Sequence, residues 1–168
     1  MKKAIFTMVL LLLTSVTVSA QNVKIGYFSY KAILMSMSAY STAMTDMDKL
    51  RKQYADELDA AQKEFNEKYE LFLSQQAQLA ESIRQKRQAD LQTLLERNEQ
   101  FRKEAERLLA QAEKDVMAPL HEKIRNAVAK VGQQGSYAVI VNTDSEACPY
   151  LSPELSVDVT STISDLLK

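Results

Sequence analysis

Residues 40–72 read YSTAMTDMDKLRKQYADELDAAQKEFNEKYELF, and residues 91–131 read LQTLLERNEQFRKEAERLLAQAEKDVMAPLHEKIRNAVAKV. From Tyr27 to Val131 the chain contains no glycine and a single proline, Pro119. A compact domain needs many turns, and turns recruit Gly, Pro, Asn and Asp. The sequence therefore predicts that the middle of the chain is long helix.

Apolar residues recur every three or four positions in both runs, which is the spacing of a coiled-coil seam. We therefore expect an antiparallel helical hairpin over residues 37–131, with its tip near residues 79–84. Ser82 is the expected N-cap of the returning helix. Pro119 removes a backbone donor and is expected to kink that helix. The seam positions are Tyr40, Met44, Met47, Leu50, Tyr54, Leu58, Ala61, Phe65, Tyr69 and Phe72 in the first arm, and Leu91, Leu94, Asn98, Phe101, Ala105, Leu108, Ala112, Val116, Leu120, Ile124, Val128 and Val131 in the second.

Short strands are predicted on either side of the hairpin. Residues 23–28 have a strand pattern, and residues 137–141 form a stronger apolar run that is bounded by turn residues. Residues 147–151 are a third candidate, which Pro149 would place at a sheet edge. A closing helix is expected to begin at Ser152-Pro153. Its apolar face would carry Leu155, Val159, Ile163 and Leu166.

The predicted fold class is mostly α with a small β part. Residues 21–36 and 132–168 would form a discontinuous α/β body, and the helical hairpin arm would project from it. Because an isolated sheet of two or three strands is marginally stable, we expect a homo-oligomer of low order whose bodies join edge to edge.

Residues 1–20 have the pattern of a cleaved secretory signal. Lys2 and Lys3 precede the apolar run 5–13, and Val18-Ser19-Ala20 resembles a cleavage site. The run is shorter than the ~20 residues that span a bilayer, so an uncleaved anchor is the lesser alternative. Loss of the two lysines takes the net charge from −1 to −3. An acidic chain disfavours nucleic acid as a partner. We expect a soluble, exported protein.

The sequence offers little to catalysis, and we expect neither an enzyme nor a bound cofactor or metal. His121, the only histidine, lies among charged residues and is interpreted as solvated. Cys148, the only cysteine, is interpreted as a small buried strand residue; an enzyme that uses either side chain is a minor alternative. The arm carboxylates alternate with Lys and Arg at helical spacing, as on a solvated helix face.

Methionine and aromatic residues are concentrated in the first arm. Methionine adapts its shape to different contacts and is common at promiscuous binding surfaces. Most of these residues are expected to pack in the seam, whereas Met37, Ala43, Leu71 and Leu79 lie off it and suggest a second, weakly apolar face. The candidate binding residues are Met35, Met37, Tyr40, Met44, Met47, Tyr54, Tyr69, Leu71, Phe72 and Leu79. Arg84, Lys86 and Arg87 form a basic cluster at the tip, interpreted as a solvated face, with anionic lipid contact as the weaker alternative.

The chain resembles the Skp (OmpH) family of periplasmic chaperones. The resemblance is carried by Lys24-Ile25-Gly26-Tyr27 before a long hairpin, by PLHEKI at 119–124 and AVAKV at 127–131, by the strand at 137–141, and by Val157-Asp158-Val159-Thr160. The two ends and their order are the distinctive part, since any coiled coil resembles the hairpin. The likeness covers essentially the whole chain after the leader.

The resemblance implies a jellyfish-shaped homotrimer that works without ATP or another cofactor. Three bodies would join through a small β-barrel, and their arms would enclose unfolded outer-membrane proteins. In such a trimer the shared core would contain Ile25, Tyr27, Val139, Val141 and Leu151. The best-known members are strongly basic, whereas this chain carries −3 after loss of the leader. Contact of the arm tips with membrane or lipopolysaccharide is therefore expected to be weak.

These observations predict an ATP-independent periplasmic holdase for unfolded outer-membrane proteins. The alternative is an exported coiled-coil spacer or adaptor that grips one specific envelope partner. Binding of several unrelated unfolded proteins would distinguish the first from the second.

Overall fold

The computed structural model describes residues 23–145 and 147–168. The predicted signal at residues 1–20 lies outside the described residues. In chain order the elements are strand β1 (Ile25–Phe28), helix α1 (Tyr30–Ser36), helix α2 (Ser38–Gln75), a 3-10 turn (Gln76–Gln78), helix α3 (Glu81–Gln134), strand β2 (Val139–Asn142), strand β3 (Ser156–Asp158) and helix α4 (Thr160–Asp165). This arrangement confirms a mostly helical chain with a small sheet.

Helices α2 and α3 form the antiparallel hairpin that the apolar spacing predicts. They contain 38 and 54 residues, so at about 1.5 Å per residue the shorter helix is on the order of 57 Å long. Met47, Phe72, Leu94 and Ala105 are buried between the two arms. The other faces of both helices carry mainly charged and polar residues, with a few exposed apolar side chains such as Leu71 and Ile83.

Polar contacts join the two arms at several heights. Asn98 Nδ2 donates to the carbonyl oxygen of Ala61 at 3.0 Å, and it does so from a seam position. The Arg51 guanidinium pairs with Glu113 at 2.9 Å, although both side chains are largely exposed. A polar residue in an apolar seam fixes the register of two helices at some cost in stability. We assign that role to Asn98.

The strands form a three-stranded parallel sheet in the order β2-β1-β3. Ile25 is the partner of Val139 on one side and of Ser156 on the other. Strand β1 therefore lies at the centre, although it comes first in the chain. Parallel strands require a long crossover connection, and here the entire hairpin is the connection from β1 to β2.

The hydrophobic core lies where the root of the hairpin meets the sheet. Ile33, Ile124 and Ile163 are the largest fully buried side chains, and each comes from a different helix. Phe28 contributes the inner face of β1. The remaining core members are Met37, Leu120, Ala127, Val131 and Val159. Because α3 runs from the arm into this core, the arm and the body share one packed unit.

Gly26 allows the close approach of sheet and loop. A Cβ atom at this position would lie 3.0 Å from Cγ1 of Ile140 and 3.2 Å from Cδ1 of Tyr137. These distances are tighter than ordinary van der Waals contact, so a side chain here would force the side chains of Ile140 and Tyr137 to shift. The absence of a side chain at Gly26 therefore lets these two residues pack over β1.

Three sequence predictions about element ends are wrong. The N-cap of α3 is Ala80, which caps without a side chain, so Ser82 lies inside the helix. Residues 147–151 are not a strand; the third strand is Ser156–Asp158. The closing helix begins at Thr160 rather than at Ser152-Pro153, because residues 153–155 form a turn that leads into β3. Proline and cap signals mark turns as readily as helix starts.

Pro119 lies inside α3, which is continuous through it. A proline has no N–H to donate to the carbonyl four residues earlier. The expected kink at this residue therefore stays a prediction, while the expected helix on both sides of it is confirmed. Leu120 and Ile124, directly after it, are buried in the core.

We expect Ile124→Ala to lower the free energy of unfolding by about 2–5 kcal/mol, because it empties a fully buried site. Denaturant unfolding monitored by circular dichroism measures this change. The matched control is Ile83→Ala on the same helix, where the side chain is 48% exposed. Equal losses for the two variants would contradict the placement of the core.

We expect Asn98→Leu to raise the melting temperature of the protein by a few degrees, because an apolar residue replaces a polar one in the seam. Thermal unfolding measures the shift. Asn66→Leu on the exposed side of α2 is the control and should change the melting temperature little. A large fall for Asn98→Leu would mean that its hydrogen bond to Ala61 is a net stabilising contact.

Candidate functional site

The sheet presents an apolar outer face that nothing in the described chain covers fully. The parallel register places Ile25 beside Val139 and Tyr27 beside Val141, on the face opposite the buried Phe28. Val139 is 47% exposed, and the other three side chains are half-buried. Val23 and Leu155 extend the exposed apolar surface at the same end of the sheet. An apolar surface of this kind marks an interaction site.

Leu151 was predicted to lie with these residues. It is half-buried, in the loop between β2 and β3 rather than in a strand. Four of the five predicted core residues of an assembly, namely Ile25, Tyr27, Val139 and Val141, thus share one sheet face, and the fifth lies on a neighbouring connection.

The residues predicted to bind a partner, of which Met35 lies in α1 and the others at the root of the hairpin or along it, fall into three groups by exposure. Met35, Tyr69 and Leu71 are exposed, at 62%, 45% and 51% respectively. A second group, comprising Tyr40, Met44, Tyr54 and Leu79, is half-buried. Met37, Met47 and Phe72 are buried.

The buried group is committed to the fold. Met37 belongs to the core of the body, so the expectation that it lies on a second apolar face is corrected. It stands between α1 and α2 in an extended conformation, and its side chain turns inward there. Met47 and Phe72 pack in the seam between the arms. Surface contact with a partner is therefore left to the exposed and half-buried residues.

A groove of about 420 Å³ runs between the arms near the tip. Leu71, Phe72, Leu91 and Leu94 supply its apolar lining. Its charged lining is Glu64, Lys68, Arg87, Asp90 and Arg97. A second hollow of about 360 Å³ continues toward the body and shares Glu64 and Arg97 with it. Both hollows are open concavities between the arms, lined by apolar and charged side chains.

The charges along the arms compensate one another locally. The Lys68 ammonium donates a hydrogen bond to Glu64, which lowers the pKa of that carboxyl. Hydrogen bonds from Arg102 likewise lower the pKa of Glu99. All these groups are solvated, so each pair contributes little to stability. The net result is a nearly neutral arm surface rather than a field of one sign.

The predicted basic cluster at the tip is compensated as well. Arg84 pairs with Glu81, and Lys86 pairs with Asp90 at 3.1 Å. Arg87 donates to the side-chain oxygen of Gln75 at 2.8 Å across the tip. Of these three residues, only Arg87 forms no ion pair with a carboxylate of the described chain.

The structure agrees with the sequence interpretation of His121 and contradicts that of Cys148. His121 is exposed as predicted, but its ring stacks on Tyr30 at 5.7 Å, and Nδ1 is hydrogen-bonded to the Tyr30 hydroxyl. Cys148 lies in a loop, half-buried, with its Sγ 3.4 Å from the carbonyl oxygen of Tyr150. The prediction that it is a buried strand residue is wrong.

Sequence reasoning missed the contact between Tyr30 and His121. The two residues are 91 positions apart, and no periodic pattern relates them. Only the return of α3 to the body, which places the first turn of α1 against it, brings them together.

Within the described residues, no cluster of His, Cys, Asp and Glu could hold a metal ion. In the same part of the chain, no helix combines the length and the apolar character that crossing a membrane requires. The geometry thus supplies apolar surfaces and grooves, on the sheet and along the arms.

Comparison with known proteins assigns the chain to a family. A crystal structure of a protein from Caulobacter crescentus, assigned as an OmpH-like outer membrane chaperone, has a similar fold with a TM-score of 0.72. The two sequences are 14% identical, and the match covers 85% of this chain and 82% of the other. No curated protein sequence matches significantly.

The family model described as outer membrane protein (OmpH-like) matches residues 24–167. This range includes both strands that pair across the hairpin, the whole arm and the closing helix. The match confirms the resemblance found in the sequence and supports a chaperone role. The chain belongs to the OmpH-like outer membrane protein family.

Proposed function

We propose that the protein is an ATP-independent holdase of the periplasm that binds unfolded outer-membrane proteins and prevents their aggregation. The observation that carries the proposal is the presence of exposed apolar side chains, such as Tyr69 and Leu71, on a long, nearly neutral hairpin, in a chain of the OmpH-like family. The pattern of a secretory signal at residues 1–20 supports the periplasmic location.

The binding mechanism is weak contact at many points. An unfolded barrel protein exposes apolar strand segments that would otherwise pair with other copies. Met35, Tyr69 and Leu71 each offer a small apolar contact, and none sits in a deep pocket. Contacts that are individually weak give tight overall binding when they act on one chain at high effective concentration. Such binding needs no nucleotide, because the unfolded client supplies the apolar surface.

Preferential binding to the unfolded client keeps it unfolded by mass action. The client is then released when the free energy of its folding at the outer membrane is more favourable than the free energy of its weak contacts with the chaperone. The absence of strong charge along the arms means that apolar contact, rather than electrostatic capture, carries the affinity. Contact of the tips with membrane or lipopolysaccharide is correspondingly weak in this proposal.

The outer face of the sheet joins three copies in this proposal. Ile25, Tyr27, Val139 and Val141 form the shared core, with Leu151 at its margin. Burial of apolar surface contributes about 25 cal/mol per Å², and a three-stranded sheet that is open on one face gains most from it. Three hairpins held by such a core would enclose a common space for one client.

We expect Val139→Glu to dissociate the assembly, because it places a charge in the shared core without a partner. Val139 is largely exposed in one protomer, so the variant should still fold, with an unchanged helical circular dichroism spectrum. Sedimentation velocity measures the oligomeric state. Ile83→Glu, on the arm and similarly exposed, is the control and should stay trimeric. A trimer for Val139→Glu would count against this face.

We expect the protein to suppress aggregation of an unfolded β-barrel membrane protein at about one trimer per client. Light scattering after dilution of the client from urea measures it. The triple variant Tyr69→Ser, Leu71→Ser and Leu79→Ser should need several-fold more chaperone, because apolar contacts are lost. The matched control replaces the polar residues Gln62, Asn66 and Gln78 with serine.

If both triple variants suppress aggregation as well as the unchanged protein does, Tyr69, Leu71 and Leu79 do not contribute to client binding. No suppression over an unrelated coiled coil would remove the holdase function. Binding of a single folded envelope protein, with no affinity for several unrelated unfolded ones, would favour a spacer or adaptor instead.

A further inference from the structure

A cleft of about 460 Å³ lies on the flank of the body, beside α3 and away from the arms. Phe28 and Ile124, which are buried, form its deepest part, and the half-buried Val128 and Ile140 continue the apolar lining. Its polar lining is Tyr30, His121, Arg125 and Asn142, of which His121 and Arg125 are exposed. The cleft is thus apolar inside and polar at its rim. Ligand sites commonly have this form and a similar volume.

The rim is rich in donors and poor in acceptors. Arg125 has no ion pair or hydrogen bond within the described part of the chain. The side-chain oxygen of Asn142 accepts from the backbone N–H groups of Tyr30 and Asp144, at 3.2 and 3.1 Å. Its Nδ2 has no partner among the same residues. No carboxylate of the described chain lines the cleft.

Tyr30 and His121 share a hydrogen bond at the rim, between the Tyr30 hydroxyl and Nδ1 of His121. Burial raises the pKa of Tyr30, against the opposing effect of the Arg125 charge, so the phenol keeps its proton. The two donors that are left without a partner are the Arg125 guanidinium and the Asn142 amide.

We propose that this cleft binds a single-chain carboxylate amphiphile, such as a long-chain fatty acid, with its head group on Arg125 and its chain along the apolar lining at Val128 and Ile140. One fixed positive charge beside a neutral amide donor matches a monoanion better than a phosphate dianion. A guanidinium binds a carboxylate through two parallel hydrogen bonds. The apolar lining offers no partner to backbone amides, which disfavours a peptide chain as the occupant.

The experiment titrates the mature protein with dodecanoate below its micelle concentration and measures affinity by calorimetry. His121 is the only histidine in the sequence, so its ring signals in the proton NMR spectrum report on the cleft directly. We expect saturable binding and a concerted shift of these signals. Binding along the arms would release heat without moving the His121 ring signals.

Arg125→Met should weaken dodecanoate binding at least about tenfold, since a charge-assisted contact is lost. Lys123→Met is the matched control: it removes the same charge from the same helix at an exposed residue outside the cleft lining. The control should change affinity less than about twofold. Dodecanol should bind weakly to all three proteins, because it lacks the anionic head.

Several results would overturn the proposal. They are equal affinities for Arg125→Met and Lys123→Met, dodecanol as tight as dodecanoate, and binding that leaves the His121 signals unmoved. Tighter binding of dodecyl phosphate would assign the rim to a phosphate head group instead. The cleft would instead be a site for a peptide C-terminus under two conditions. Dodecanoate would not bind, and an apolar peptide with a free C-terminus would bind while its C-terminal amide would not. None of these outcomes depends on whether the arms bind unfolded clients.

Discussion

The pairing of β1 with β2 is the interaction on which the rest of the structure depends. Ile25 and Val139 are partners in the sheet, yet the entire hairpin lies between them. Closing so long a connection costs conformational entropy. A flexible segment of this length would form no contacts that offset this cost. The hairpin makes closure favourable because its own seam orders the segment. Core residues of α3 such as Ile124 and Val131 then bury the root against β1 and α1.

This arrangement separates two kinds of apolar surface. The inner surface, which includes Phe28 and Ile163, is buried where the root of the arm packs against the sheet. What is left over lies on the outer sheet face around Val139 and on exposed arm positions such as Leu71. The packed core therefore stabilises the centre of the fold, and the apolar surface on the outer sheet face and the arms is available for contacts with other molecules. In the proposed trimeric chaperone, the outer sheet face would join the copies and the exposed arm residues would bind the client. The side cleft at Arg125 is a third, separate surface.

The sequence predicted most of the fold because its strongest signals are local and repeated. Seam residues such as Leu94 and Ala105 recur at helical spacing, and glycine is missing throughout, so the hairpin was predictable. The ends of the elements were less so. Ser82 and Ser152-Pro153 carry proper helix-start signals, but the backbone already enters α3 at Glu81, and residues 153–155 turn into a strand. A single cap residue contributes less free energy than strand pairing and tertiary packing, so these decide where an element begins.

The sequence by itself determined the helical arms, the existence of the two strands that pair across the hairpin and the family, because periodicity and composition act over many residues at once. Only the tertiary structure decided which apolar residues are free. Met37, Met47 and Phe72 resemble Met35 and Leu71 in sequence, yet the first three are buried and the last two exposed. The contact of Tyr30 with His121 was likewise decided by the return of α3. The exposure of a side chain depends on which residues from distant parts of the chain pack against it. No local sequence pattern encodes those long-range contacts.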